Sequence, residues 1–272
     1  MIKKHYDQHI HSTHSYDGAQ EDAIDLIVET AMAKGLAGIA ITDHMDPIWP
    51  DEDEAVTHVL DLPAYESALT EAANKWSEHI RFVKGIELGL CPGISLEICE
   101  DVVGRYPYDF VIGGVHYSAN MPIDIPPFFT GRDLRDIIDE YYTILLDSIN
   151  LYKNYDVLSH INNMDRYTNG FAPEDMYMPY IDEILRVAIA DGKGIEINTS
   201  AFRYGISERG TPTKPILNRF RELGGEIVTI GSDAHKAADV GTYLDIGEEW
   251  LREAGFRYIA VFKERRPEFI KL

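Results

Sequence analysis

Short apolar runs recur along the whole chain, and segments with the period of an amphipathic helix separate them. Apolar runs bounded by turn residues predict buried strands, whereas apolar residues three and four positions apart predict helices. Strands are predicted at 3–10, 36–42, 81–87, 109–115, 155–161, 193–199 and 225–231, with 257–263 as a candidate eighth. Helices are predicted at 21–35, 64–79, 134–154 and 178–192. This alternation is typical of parallel strands joined by crossover helices.

Two α/β architectures fit that alternation, a closed barrel and an open doubly wound sheet. Nucleotide-binding versions of the open sheet carry a glycine-rich loop of the form GxGxxG or GxxxxGK[ST] after the first strand, and this chain has neither there. The sequence therefore favours an α/β barrel. It shows no internal repeat, low-complexity tract or linker, so one domain over residues 1–272 is expected.

The predicted connections differ in length according to their direction. Those from helix to strand are short, whereas several from strand to helix are long, among them 45–63 and 118–131. In a parallel barrel the long loops all lie at the carboxyl ends of the strands, where active sites are found. We expect these two loops to cover the organic part of a substrate.

Composition narrows the class of protein further. Hydrophobic residues make up 45% of the 272 positions and charged residues 26%, as in ordinary globular proteins. The 46 acidic residues outnumber the 25 Lys and Arg residues, and the net charge of -21 repels nucleic acid. Only Cys91 and Cys99 are present, and no apolar run resembles a signal peptide or a membrane span. A cytoplasmic protein that binds neither membranes nor nucleic acid is expected.

Histidine and acidic side chains stand at the carboxyl ends of six of the seven predicted strands. They are His9, His11, His44, Glu87, His116, His160, Asp233 and His235. His9 and His11 are two positions apart and therefore point to the same side of an extended strand. Imidazole and carboxylate ligands without cysteine suit Zn²⁺, Mn²⁺ or Fe²⁺, and the set is too large for one tetrahedral ion. We predict two or three divalent metal ions.

A purely structural role is the alternative explanation of this cluster. A single histidine at a strand end is more often a hydrogen-bonded polar group than a metal ligand. Many imidazoles and carboxylates at the mouth of a barrel would, however, be costly without cations, because buried charges need partners. The joint pattern therefore favours metal binding.

The motifs HIHSTHSYD, TDH, GIE, GVHY, SHIN and GSDAH together resemble those of the PHP (polymerase and histidinol phosphatase) family. The resemblance extends from Tyr6 to His235 and implies a distorted (β/α)7 barrel with a trinuclear metal site. The ligands that it implies fall into three groups: His9, His11, Glu87 and Asp233; His116, His160 and the bridging Glu87; and Asp17, His44 and His235. Asp17 stands where some members have histidine, and an aspartate there is similar to the histidinol-phosphate phosphatase branch. His14 is not among the implied ligands and is predicted to be a hydrogen-bond partner of one.

Two arginines, Arg166 and Arg203, follow the fifth and sixth predicted strands and are expected on the same face. A planar guanidinium matches a phosphate group bidentately. A surface arginine in a loop is the simpler explanation of either one alone, but the segment INTSAFR also resembles the histidinol phosphatase branch, where a phosphate-binding arginine is expected. Both are predicted to bind the substrate phosphate during catalysis. Tyr117, Tyr204 and Asp46 are candidates for contacts with the organic part of the substrate.

The function implied by the resemblance is metal-dependent hydrolysis of a phosphate monoester, with L-histidinol phosphate, an intermediate of histidine biosynthesis, as the first substrate. The metals are expected to lower the pKa of a bridging water and to bind phosphate oxygens. One open alternative keeps this chemistry but changes the ester to a nucleotide, a phosphotyrosine protein or a general monoester. The other is a metal-bound scaffold without catalysis, like the PHP domains of polymerases, although every implied metal position is filled here.

Overall fold

The computed structural model describes residues 5–47, 60–118, 121–168, 172–205 and 210–272. Within these ranges seven parallel strands form the barrel, and a helix follows each of them. A short eighth strand of the same sheet, His44–Met45, pairs in parallel with the third strand. The strands are β1 (Tyr6–Asp7), β2 (Gly38–Ile41), β3 (Arg81–Gly89), β4 (Phe110–Gly114), β5 (Val157–Leu158), β6 (Gly194–Asn198) and β7 (Val228–Gly231). The helices are α1 (Ile24–Ala33), α2 (Leu62–Trp76), α3 (Ile94–Arg105), α4 (Leu134–Leu151), α5 (Glu174–Ala190), α6 (Lys214–Glu222) and α7 (Leu244–Glu253).

The sheet closes on itself. Each strand pairs in parallel with the next one along the chain, from β1 to β7. The segment after β1 then bonds to the segment of β7, because Gln8 N donates to Ile230 O at 2.9 Å and His11 N donates to Ala234 O at 2.8 Å. Asp233 N completes the seam by donating to His9 O at 2.8 Å. The predicted (β/α)7 barrel is confirmed.

The strands carry apolar side chains on both faces, because one face lies against the barrel interior and the other against the surrounding helices. Every residue of β2, β4 and β7 is buried. The helix α1 turns Ile27, Val28 and Ala31 toward this core, in the spacing of an amphipathic helix. Burial of the apolar strands thus fixes the barrel before any site residue is considered.

Local signals in the sequence set several helix boundaries. Asp61, Asp133 and Thr213 accept hydrogen bonds from backbone N–H groups in the first turns of α2, α4 and α6. Gly35 and Gly192 follow α1 and α5 with φ of 77° and 68°, a left-handed conformation that glycine adopts without steric cost. These signals agree with the predicted helices. The helices α3, α6 and α7 were not predicted, and they complete the alternation of strands and helices.

Two of the predicted strands are reduced to two residues each. The fifth, predicted over 155–161, is only Val157–Leu158, and His160 has a φ of 23° that no strand accommodates. The first, predicted over 3–10, is Tyr6–Asp7, followed by an isolated parallel bridge between Ile10 and Ala234. In both places the backbone leaves the regular strand where it delivers site residues.

The candidate eighth strand is a strand but lies outside the barrel. It forms β8 (Tyr258–Lys263), which pairs antiparallel with β9 (Arg266–Lys271). This hairpin packs against the amino ends of the barrel strands: the ring of Phe262 stacks on that of Phe110 at 4.8 Å, and Arg265 Nε lies 2.6 Å from Asp156 Oδ2. The hairpin therefore covers the end of the barrel where the strands begin.

The two loops that were expected to cover a substrate are only partly described. Positions 48–59 of the first and 119–120 of the second lie outside the described residues. None of the helices in the described ranges is long and apolar enough to cross a bilayer.

Candidate metal centre

One oxygen of Glu87 stands at the meeting point of three imidazoles. Glu87 lies at the carboxyl end of β3 and is fully buried. Its Oε2 is 3.0 Å from Nε2 of His9, 3.1 Å from Nδ1 of His44 and 3.5 Å from Nε2 of His11. Asp233 joins this group, since its Oδ1 lies 3.3 Å from Nε2 of His11 and 3.7 Å from Nε2 of His9.

The other oxygen of Glu87 serves a second group. Its Oε1 is 2.9 Å from Nε2 of His160 and 3.5 Å from Nε2 of His116. Those two Nε2 atoms are 3.4 Å apart, so they converge on one point. A single carboxylate therefore lies between two sets of imidazoles, as a bridging ligand of two metal ions would.

Asp17 marks a third group at the outer edge of the centre. Its Oδ2 lies 3.0 Å from Nε2 of His235 and 3.8 Å from Nε2 of His44. The ring of His11 stacks between those of His44 and His235, with centroids 4.2 and 4.1 Å away. The structure thus brings together all nine residues that the sequence singles out as metal ligands. Their role as ligands stays a prediction.

The donors and acceptors around His11 show whether a cation fits. The hydroxyl of Ser15 donates its proton to Asp43 Oδ1 at 2.7 Å, so it accepts from Nδ1 of His11 at 3.0 Å. The Nε2 lone pair of His11 then faces the carboxylates of Glu87 and Asp233, and this buried atom has no hydrogen-bond partner among the described residues. Two carboxylates repel this lone pair, and a cation bound between them would remove the repulsion.

His235 of the third group has an oxygen atom facing each of its ring nitrogens. Its Nδ1 lies 3.0 Å from the carbonyl oxygen of Asp233, which can only accept, so Nδ1 carries a proton. Burial opposes protonation of the ring, but Asp17, whose Oδ2 lies 3.0 Å from Nε2, and Asp233 raise the pKa of His235 above its usual value. The residues present therefore fit divalent metal ions on the chemistry of their own donor atoms.

The pKa values of the inner residues point the same way. Burial and the neighbouring imidazoles lower the pKa of His11 and of His44 to about 4. Burial opposes ionisation of Glu87 and Asp233, but the charge of His9 and other nearby groups holds both carboxyl pKa values well below their usual range. Neutral imidazoles and ionised carboxylates are the forms that bind metals.

The pKa values of His9 and His116 shift in the opposite direction, upward, in the metal-free protein. Burial lowers the pKa of His9, yet the carboxylates of Glu196 and Glu87 raise it well above its usual value. Asp46 and Glu87 overcome burial at His116 in the same manner. Without metal, a proton on each of these imidazoles supplies part of the positive charge that the carboxylates require.

Glu196 is a site residue that the sequence interpretation missed. It belongs to β6, is buried, and its Oε1 lies 2.7 Å from Nδ1 of His9. The predicted ligands stand at strand ends, whereas Glu196 lies in the middle of the strand GIEIN. The signal available was a pair of polar residues, Glu196 and Asn198, two apart on one face of an otherwise apolar strand.

Two further buried aspartates hold the backbone of the site. Asp43 accepts hydrogen bonds from the backbone and hydroxyl groups of both Ser12 and Ser15, and so fixes the loop after His11. Asp7 does the same for Ser232, with bonds of 2.8 Å to its N–H and 2.5 Å to its hydroxyl. These aspartates lie beside the predicted ligands along the chain but face away from the metal groups.

A cavity of about 160 Å³ opens directly onto the metal groups. Four tyrosines and Asp124 line its outer part, and Arg166 lines its inner part beside Asp233. Tyr117 and Tyr204, two candidates for contacts with a substrate, are among those four tyrosines. The third candidate, Asp46, is fully buried and binds Nδ1 of His116 at 2.7 Å, so it orients an imidazole of the centre.

The two arginines occupy different positions. Arg166 follows β5 and its guanidinium faces the cavity, with 7% of the side chain exposed. Arg203 directs Nη1 to the carbonyl of Ser232 at 2.6 Å and Nη2 to the carbonyl of Asp233 at 2.7 Å, and it is not among the residues that line the cavity. The structure therefore places Arg203 as a brace of the loop that carries Asp233, while the phosphate contacts of both arginines stay predictions.

His14 stands apart from the other histidines of the opening motif. Its ring lies 5.5 Å from that of Tyr65, and it belongs to none of the candidate metal groups among the described residues. The predicted hydrogen bond from His14 to a ligand stays a prediction.

The chain matches the profile of one protein family and resembles two relatives of similar length. The profile of the PHP domain matches residues 7–200. The probable histidinol-phosphatase of Clostridium acetobutylicum is 30% identical over 241 residues, which cover 87% of this chain and 88% of that protein. The histidinol-phosphatase of Lactococcus lactis is 28% identical over 263 residues, which cover 95% of this chain and 94% of that protein.

A solved structure matches nearly the whole chain. It is the histidinol phosphate phosphatase of Lactococcus lactis, complexed with zinc, L-histidinol and phosphate. The TM-score is 0.87 at 26% identity, and the match covers 98% of this chain and all of that one. The likeness therefore continues beyond residue 200, where the domain profile ends and where Asp233 and His235 lie.

Proposed function

The chain belongs to the PHP domain family, and from this we propose that it hydrolyses L-histidinol phosphate to L-histidinol and phosphate. It is a phosphoric monoester hydrolase that uses two or three divalent metal ions. The observation that carries the proposal is the position of Glu87 between two sets of imidazoles, next to a cavity that Arg166 lines. The names of the two relatives and the ligands of the Lactococcus lactis structure support this substrate.

The proposed ligands follow the three groups in the structure. One ion takes His9, His11, Glu87 and Asp233; a second takes His116, His160 and the other oxygen of Glu87; a third takes Asp17, His44 and His235. When bound, such ions supply a water of lowered pKa and positive charge for the phosphate oxygens. The protein supplies their arrangement, because the ligands project from the carboxyl ends of several strands of one barrel.

Arg166 is the residue proposed to bind the phosphate group. Its Nη2 is held by Asn198 Oδ1 at 3.1 Å and by Asp233 Oδ2 at 3.0 Å. Its Nε is buried without a hydrogen-bond partner among the described residues, and the side chain lines the cavity where a phosphate group would bind. The ring of Tyr204, 5.1 Å from the guanidinium carbon, limits the movement of the side chain.

The organic part of the substrate would lie in the outer cavity. Tyr16, Tyr117, Tyr167 and Asp124 surround that space, and a carboxylate near aromatic rings suits a cationic group. We include in the proposal a single domain over 1–272, a small-molecule phosphate ester as substrate, no nucleic-acid or membrane partner, a cytoplasmic location and a role in histidine biosynthesis.

Steady-state kinetics on a panel of esters tests the substrate. The panel contains L-histidinol phosphate, p-nitrophenyl phosphate, a nucleoside monophosphate and a phosphotyrosine peptide, each with zinc-loaded and with chelated protein. We expect the highest kcat/KM for L-histidinol phosphate and loss of turnover after chelation. If p-nitrophenyl phosphate is turned over as fast as L-histidinol phosphate, the assigned substrate is wrong. If metal is bound but no ester is hydrolysed, the protein is better explained as a metal-bound scaffold without catalysis.

A further inference from the structure

Glu196 occupies a position that none of the proposed ligand groups includes. It lies in the middle of β6, with its side chain inside the barrel and shielded from solvent. Its Oε1 is 2.7 Å from Nδ1 of His9, and its Oε2 accepts a hydrogen bond from Nδ2 of Asn198 at 3.0 Å. The backbone N–H of His160 points to the same Oε2 at 3.4 Å. Both groups that bond to Oε2 in the described part of the chain are thus N–H donors.

We propose that Glu196 is a positioning residue that holds His9 with its proton on Nδ1 and its Nε2 lone pair directed at the metal ion. An ionised carboxylate only accepts, so it selects the Nδ1–H tautomer of the facing ring. A carboxylate on the far nitrogen of a metal-binding imidazole also fixes the ring plane and raises the basicity of the ligating nitrogen. The inference rests on the proposed ligand group of His9, Glu87 and Asp233 but not on the identity of the substrate.

The side-chain amide of Asn198 is oriented so that position 196 must carry a hydrogen-bond acceptor, as a carboxylate does. Oδ1 of Asn198 accepts from Arg166 Nη2 and from the backbone N–H of Ser200, both at 3.1 Å, so its orientation is fixed. Its Nδ2 must then donate to Glu196 and to Asp233 Oδ2 at 3.2 Å. A glutamine at 196 would oppose an N–H group either to these donors or to Nδ1–H of His9.

The backbone of Gly231 packs closely against both His9 and Glu196. A Cβ atom on Gly231 of β7 would clash with Cβ of His9 and with Oε1 of Glu196, so the pair fills the space that this glycine leaves. Both side chains have no exposed surface, and water cannot replace a lost partner there. His9 therefore depends on Glu196 for its orientation.

Zinc binding tests the role directly and needs no substrate. The full chain is prepared metal-free as the parent and as Glu196→Gln, and zinc affinity is measured by competition with a chelator of known strength. We expect one zinc equivalent of Glu196→Gln to bind about 10- to 100-fold more weakly, while the others keep the parent affinity. Saturating zinc should restore the full metal content of the variant.

The chain offers a matched control for this substitution. Glu248 of α7 also pairs with an imidazole Nδ1, that of His5, at 2.6 Å, but lies outside the metal groups. Glu248→Gln should keep all zinc affinities. Unchanged zinc affinity in Glu196→Gln would overturn the proposal. So would loss of every zinc equivalent together with cooperative unfolding, because Glu196 would then support the fold rather than His9. A wrong substrate assignment would leave all of these zinc measurements as they are.

Discussion

Nη2 of Arg166 lies 3.0 Å from Oδ2 of Asp233, and this contact joins the phosphate side of the cavity to the metal side. The other oxygen of Asp233 lies 3.3 Å from Nε2 of His11. Little of either side chain in the Arg166–Asp233 pair is exposed, so water screens their attraction only weakly. One carboxylate thus orients both a proposed metal ion and the proposed phosphate-binding cation.

Replacement of Arg166 by alanine should remove a charge that acts on the phosphate. We expect kcat/KM for L-histidinol phosphate to fall about 100- to 1000-fold, with the zinc content unchanged. Arg166→Lys should recover only part of the loss, because an ammonium lacks the planar fork. Arg186→Ala, on the exposed side of α5, is the control and should keep parent kinetics. Parent-like kcat/KM in Arg166→Ala would contradict the assignment.

Replacement of Arg203 by alanine should act mainly on stability. Its two hydrogen bonds to backbone carbonyls involve a charged donor, and such bonds contribute about 1.5–3 kcal/mol each. We expect Tm to fall by roughly 2–4 °C for each kcal/mol lost, as followed by calorimetry of the metal-free protein. Inhibition by inorganic phosphate distinguishes the predicted phosphate contact: a weaker inhibition at unchanged Tm would show direct binding rather than bracing.

Asp17→Asn should empty the outermost metal position. The asparagine keeps the shape of the side chain but removes the charge that faces His235 and His44. Elemental analysis after dialysis against a weak chelator should find about one metal ion fewer per chain, with lower kcat. Asp101→Asn on exposed α3 should change neither quantity. Full metal content in Asp17→Asn would exclude this aspartate as a ligand.

Metal-induced stabilisation should increase with pH. The pKa values of His9 and His116 are raised in the metal-free protein, mainly by nearby carboxylates that outweigh burial. Each raised pKa stabilises the metal-free fold below the unfolded value of about 6.5, and that contribution is lost as the pH rises through the folded-state pKa. Metal must displace these protons, so the Tm difference between zinc-loaded and chelated protein should widen from about pH 5.5 to about pH 8.5. A constant or narrowing difference would contradict the assigned protonation.

The sequence was sufficient to predict which ends of the strands carry the chemistry. Glu87 and His116 end adjacent parallel strands, and such ends share one edge of the sheet whatever the detailed packing. The pair His9 and His11 follows from the two-residue period of an extended chain. These inferences need only the order of elements and the direction of the strands.

The sequence was insufficient wherever a contact depends on two distant segments. His9 and Glu196 are 187 residues apart along the chain and 2.7 Å apart in space. Arg203 lies on the predicted face, but only the fold directs its guanidinium to the carbonyls of Ser232 and Asp233. The strand β8 has the apolar pattern of a barrel strand, yet its pairing with β9 removes it from the barrel.

The sequence by itself determined an α/β barrel with imidazoles and carboxylates at one end, because apolar period and strand direction are local properties of the chain. The tertiary structure decided how those side chains divide among groups: which oxygen of Glu87 faces His9 and which faces His160, and which carboxylate holds each far nitrogen. Such choices depend on distances of about 3 Å between side chains from different strands. Closure of the barrel fixes these distances, and no spacing along the chain encodes them.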